Sequence, residues 1–122
     1  MSELKKINLN NHEYVFVCNS RSTRNGFAHD VELFIDDMRA ESNSAHYLNR
    51  TWEVYTYQTC MLGAISKAID KHVEAIERRF RNVNNITRMT AKKREELNAE
   101  IDSNTFIKEM RELKEEVATH VH

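Results

Sequence analysis

Hydrophobic positions change period once along this chain, and that change divides it. Over residues 13–19 Tyr14, Phe16 and Cys18 alternate with Val15 and Val17. Both sets are apolar, which predicts a strand central in its sheet or buried on both faces. SRSTRNG (residues 20–26) then reads as a turn cluster ending in Asn25-Gly26, a strong hairpin signal. Beyond it Phe27, His29, Val31, Leu33 and Ile35 share one face, opposite Ala28, Asp30, Glu32 and Phe34. Asp36-Asp37 reads as a second turn, and residues 38–47 as a more polar strand towards a sheet edge. Residues 1–11 carry lysines and no strong period.

From Thr51, a fair N-cap, the spacing becomes helical. Leu48, Trp52, Tyr55, Thr59, Leu62, Ile69, Val73, Ile76 and Phe80 fall at three- and four-residue steps. A second stripe (Val54, Tyr57, Met61, Ile65, Ala68) runs beside it over the first half. The helix should therefore lie on the sheet first and project beyond it later. From Trp52 to Phe80 it would span about 43 Å. A compact chain of this length has a diameter of about 35 Å. The distal stripe needs a cover, from a second subunit and from the C-terminal helices folding back. Residues 81–89 break the helix, and Thr90 caps another carrying Leu97 and Ile101. Asp102-Ser103-Asn104 is a break with Ser103 as cap, or a kink in one helix. Phe106, Met110, Leu113 and Val117 form the last stripe.

The expected fold is α+β: a small N-terminal antiparallel sheet of about three or four strands, then one long helix and one or two C-terminal helices. It forms a single domain, with residues 1–50 mainly β and 51–122 mainly α, and it is oligomeric. The absence of proline and the presence of two glycines among 122 residues reinforce the long helices. A net charge of -1 excludes a polycation that coats DNA, so any bound anion needs a local cluster of donors. No run of apolar residues is long enough to span a membrane, and no signal peptide opens the chain. Cys18 and Cys60 lie far apart without a CxxC, as reduced cytosolic thiols or as one disulfide.

The chemistry points to binding. His12, His29, His46, His72, His120 and His122 show no metal-ligand spacing, so scattered surface or half-buried histidines and no metal are expected. No nucleophile motif or glycine-rich phosphate loop occurs, and the carboxylate pairs fall in a turn or on solvated helix faces, so no catalytic residue, no cofactor and no enzyme are expected. Donors do cluster. Arg21 and Arg24 flank a tight loop with Ser20, Ser22, Thr23 and Asn25 interleaved, a place for one phosphate or a simple turn pair. Lys92, Lys93 and Arg94 follow Thr90 where a helix start ordinarily carries acids, and Arg88 precedes it. Trp52 and Tyr55 are expected in the core. Asn49 and Arg50 stand at the strand-to-helix junction. Phe80 either closes the core or, with Asn82, offers a face and an amide to a base.

NSRSTRNGF, YLNRTWEVYTYQT and the basic helix after Asn85 resemble the first type of Thoeris anti-defence proteins. These are phage "sponges" that sequester cyclic-nucleotide signals of bacterial immunity. The resemblance extends over most of the chain in size and order of elements. It implies a small antiparallel sheet joined to long helices, in homodimers that pair into hexamers, in the cytoplasm of the infected host. It implies glycocyclic ADP-ribose held uncleaved at a dimer interface, and cyclic di- or trinucleotides at separate sites. Arg24 and Thr90 match the oligonucleotide site, and Phe80, Asn82 and Arg111 the ADP-ribose pocket. A small phage inhibitor that binds a host defence protein directly, in the manner of an anti-CRISPR, has the same size and the same lack of catalytic groups. A transcriptional regulator is disfavoured, because neither a helix-turn-helix nor a basic face emerges.

Overall fold

A computed structural model describes residues 2–47 and 53–119. Leu48, Asn49, Arg50, Thr51 and Trp52, and with them the expected N-cap and junction donors, lie outside the described residues, as do His120 and His122. Four strands, β1 (Ser2–Leu9), β2 (His12–Thr23), β3 (Gly26–Ile35) and β4 (Met38–Tyr47), form an antiparallel sheet in sequential order. Three helices follow: α1 (Glu53–Val83), α2 (Ala91–Ser103) and α3 (Thr105–Thr119).

Turn chemistry sets the meander. Leu9 pairs with His12 and Ile35 with Met38, which leaves two-residue loops at Asn10-Asn11 and Asp36-Asp37. All four loop residues have positive φ, between 50° and 67°. Asn and Asp tolerate that conformation, and positive φ at both centres matches the right-handed twist of a hairpin. The first strand escaped the periodicity because the register shifts between Glu3 and Lys5. That bulge at Leu4 interrupts the alternation, yet Leu4, Ile7 and Leu9 all join the core.

Tyr14, Phe16 and Cys18 are buried on the helix-covered face with Val31 and Leu33, whereas Val15 and Val17 are half-buried on the other. Of the two alternatives expected for this strand, the central position holds, between β1 and β3, and burial on both faces does not, since the helices pack on one side. His29 also departs from expectation. It is fully buried, with Nδ1 2.6 Å from the Ser20 hydroxyl and its ring stacked 4.0 Å from that of Tyr57.

α1 is 31 residues long, about 46 Å. Its buried residues include Met61, Ile65 and Ala68 of the expected second stripe, but those facing the sheet differ from the expected main stripe. Thr56, Cys60, Ala64 and Ala68 are buried, Leu62, Ile69 and Val73 are half-buried, and Thr59 is exposed. Small side chains bring the helix axis close to the sheet, where bulk would hold it off. At Gly63 a Cβ would collide with the Asn43 amide of β4. The same approach places Glu41, on the core side of β4, against Lys71 Nζ at 2.8 Å. That ammonium holds the nearly buried carboxyl below the usual range.

α3 completes the first core with Met110, Leu113 and Val117. A second cluster comprises Ile76 and Phe80 of α1, Leu97 of α2 and Ile107 of α3, with Val73, Ile86, Met89 and Ile101 at its margin. The C-terminal helices therefore fold back over the distal stripe, which accounts for half of the expected cover. Asn104, one residue after the expected cap, starts α3: its Oδ1 accepts from Ile107 N at 3.0 Å, while its own N–H donates to Ile101 O. Asparagine serves here because its amide oxygen reaches the first-turn amides while its backbone closes the preceding helix. Neither cysteine forms a disulfide, both are buried, and burial pushes the Cys60 thiol up to about 11. No helix among the described residues is long and apolar enough to cross a membrane.

Candidate anion-binding corner

The α1–α2 corner is built by asparagines. Asn85 takes a left-handed φ of 51°, Ile86 N donates to Arg81 O at 2.9 Å and Asn85 N donates to Asn82 O. This pair of bonds satisfies the last carbonyls of α1, and Ile86 tucks into the cluster containing Phe80. Asn84 Nδ2 donates to Phe80 O at 2.9 Å, and its Oδ1 faces Lys93 Nζ at 3.5 Å. Across the turn Thr90 Oγ1 accepts from Lys93 N at 3.2 Å, the N-cap the sequence indicated. A shallow depression of about 290 Å³ remains, lined by Arg81, Asn82, Asn85, Ile86 and Thr87.

Cations surround it, and some are spoken for. Arg81 and Arg94 share Glu77 at 3.3 and 3.9 Å, Lys93 pairs with Glu96, and Arg79 with Glu100. Arg78, Arg88 and Lys92 are exposed, with no ion pair among the described residues. Arg78 precedes Asn82 by one helical turn, so the two share a side of α1. α2 has no acidic residue in its first turn. The segments that form the corner thus carry three exposed cations outside the ion pairs, together with the Asn82 and Asn85 side chains in the depression and the positive end of a helix dipole. Phe80 lies beneath it, 8% exposed, as a core residue of the second cluster.

The remaining candidates lie elsewhere. β2 continues through Thr23, so Arg21 sits in the strand opposite Ala28 and not beside the loop. Cross-strand polar pairs extend the ladder: Ser20 with His29, Arg21 Nε with Asp30 at 3.0 Å, and Thr23 with His46 at 2.6 Å. Arg24 and Asn25 alone form the link, with Thr23 paired to Gly26. Arg24 is exposed and has no ion pair among the described residues. Arg111 is exposed on α3 and pairs with Asp102 at 3.2 Å. Cys60 Sγ rests on the His29 carbonyl near the Arg24 hairpin. Phe80 lies about 30 Å further along α1, in the direction away from that hairpin. One chain therefore holds its two basic places at opposite ends, with Arg111 at neither.

Sequence reasoning missed Arg78, Asn84, Asn85 and Thr87 at the corner. The triplet of asparagines in residues 81–89 was the available signal, since Asn favours helix termini and positive φ. It also missed a polar depression of about 510 Å³ lined by residues 8–13 and Asp36. No group of three His, Cys, Asp or Glu side chains suited to a metal occurs among the described residues.

Thr90 has a structural task at this corner, which changes the meaning of its substitution. Thr90→Ala should lower the unfolding free energy by about 1 kcal/mol through loss of the cap, and Thr90→Ser should keep most of it. Denaturant titration of the two variants tests this. A ligand contact by the Thr90 hydroxyl would then show as an affinity change beyond the stability change. No family model, curated protein or solved structure matches this chain.

Proposed function

We propose that this chain is a phage anti-defence protein that binds cyclic-nucleotide immune signals and sequesters them uncleaved in the cytoplasm of an infected bacterium. The ligands are glycocyclic ADP-ribose and cyclic di- or trinucleotides. The observation that carries the reading is the α1–α2 corner, where a depression lined by Arg81, Asn82, Asn85 and Thr87 lies between segments that carry the exposed cations Arg78, Arg88 and Lys92. Guanidinium forks and helix amides are the ordinary donors for phosphate, and side-chain amides for a base edge. The resemblance in NSRSTRNGF and YLNRTWEVYTYQT names the class of ligand.

An open depression of this size does not enclose a nucleotide, and the Arg24 hairpin lies at the other end of the chain. Homodimers, and hexamers built from them, would bring corner and hairpin of different copies together. Arg24 and Thr90 then serve one ligand only across a subunit boundary. Competition with an immune effector calls for nanomolar affinity, about -12 kcal/mol. A few charge-assisted hydrogen bonds plus base stacking in a closed interface reach that range.

The test is capture and release. Pure protein is mixed with cyclic nucleotide and removed by filtration, then heated. Depletion of the ligand followed by recovery of the intact molecule supports sequestration. A cleaved product overturns it in favour of an enzyme. No depletion, together with a host protein that co-purifies, favours direct inhibition of that protein. Native mass spectrometry of the same sample reads subunit number and bound mass together.

A further inference from the structure

A second polar cluster ties α3 to the turns of the sheet. His12, first residue of β2, places Nδ1 2.5 Å from Asp36 Oδ2 in the β3–β4 turn. Its Nε2 lies 3.1 Å from Glu109 Oε2 on α3. A neutral imidazole carries one N–H and so donates to one carboxylate, leaving a ring lone pair facing the other. Only the imidazolium donates to both. Asp36 is not free to turn away, because its Oδ1 accepts from Glu13 N at 2.9 Å.

The surroundings favour the charged ring. On β2, Glu13 pairs with Lys6 of β1 at 3.3 Å, and the Tyr14 ring lies 6.0 Å from that of His12. Burial pushes the Tyr14 phenol up to about 12, so it stays neutral. On α3, Glu112 accepts from Asn10 Nδ2 at 2.7 Å, one turn beyond Glu109. The β3–β4 turn adds Asp37 beside Asp36. β2, α3 and the β3–β4 turn thus present carboxylates or a neutral phenol, and Lys6, paired with Glu13, is the cation among the groups named.

We propose that His12 is a proton-operated clasp, which holds the middle of α3 against the β1–β2 and β3–β4 turns while charged and lets it loosen when neutral. α3 supplies Ile107 to one core cluster and Met110, Leu113 and Val117 to the other, so loosening it uncovers both. The Asp36 hydrogen bond raises the His12 pKa above its ordinary 6.5. The contribution is therefore complete below pH 6.5 and is lost as pH rises through the folded-state value. The Glu13 amide and His12 hold Asp36 below its ordinary 3.8, so the contribution is also lost as pH falls through that lower value. Between the two the clasp is closed.

NMR titration of the His12 ring in the full chain, with amide hydrogen exchange along α3, tests this. The ring should titrate above 6.5, and Asp36→Asn or Glu109→Gln should each lower that value. After correction for intrinsic exchange rates, protection at Met110–Val117 should fall several-fold as pH rises through the His12 titration. In His12→Gln that fall should be absent. A ring that titrates at or below 6.5, or a protection step that persists in His12→Gln, overturns the proposal.

Discussion

Phe80→Ala lowers the unfolding free energy by about 3–5 kcal/mol, the usual cost of emptying a buried aromatic site. Phe80 packs with Ile76, Leu97 and Ile107, at a place where α1 has left the sheet and α2 and α3 are its cover. α2 buries one residue fully, Leu97, so little else holds it in place when the ring is gone. Total stabilities of domains are about 5–15 kcal/mol, so the loss is a large share. Phe80→Leu, which keeps much of the volume, should cost clearly less. Urea titration followed by circular dichroism measures both. If Phe80 served mainly as a stacking face for a base, the alanine variant would keep its midpoint and lose affinity, and this account of the second cluster would be wrong.

Arg88→Ala combined with Lys92→Ala weakens cyclic trinucleotide binding by roughly 100-fold and leaves the denaturation midpoint in place. Hydrogen bonds to charged groups contribute about 1.5–3 kcal/mol each, and two of them at the low end amount to about two decades in affinity. Neither side chain has an ion pair among the described residues, so removing them breaks no internal contact that would confound the readout. Surface substitutions of this kind ordinarily stay within about 0.5 kcal/mol in stability. Lys108→Ala, on the exposed side of α3, is the control for net charge and should bind as the parent does. Calorimetric titration of the three proteins decides the matter. Equal affinity in the double variant and its parent removes the corner from the ligand site.

Much of the secondary structure was legible because its signals are local. Asp36-Asp37 announced a hairpin, Thr90 announced a helix start, and the change from period two to period 3.6 near residue 50 separated sheet from helices. The first strand was not legible, because a bulge at Leu4 interrupts the alternation that reveals a strand. α1 was found, and its second stripe is buried at Met61, Ile65 and Ala68, but the small buried residues Thr56, Cys60 and Ala64 were not picked out. Hydrophobicity weights Leu62 and Ile69 above Gly63 and Ala64, whereas close packing on β4 selects the small residues. Arg21 was drawn into a loop because serine and threonine resemble turn residues until cross-strand partners such as Asp30 and His29 are known.

The sequence by itself determined the class of fold, the order of sheet and helices, the capped start of α2 and the local concentration of cations after Asn85. Each depends on residues within a few positions of one another, where backbone sterics and helix periodicity act. The overlong distal stripe also called for the C-terminal helices to fold back over the end of α1, whereas tertiary structure alone decided which residues of α2 and α3 cover it. It also separated the basic corner from the Arg24 hairpin and joined His12 to Asp36 and Glu109. Those outcomes depend on where a 31-residue rod directs the chain after it leaves the sheet, and on pairs of side chains far apart along the chain. Short-range pattern carries no record of such meetings, because burial and charge pairing are properties of the packed surfaces and not of the neighbours in sequence.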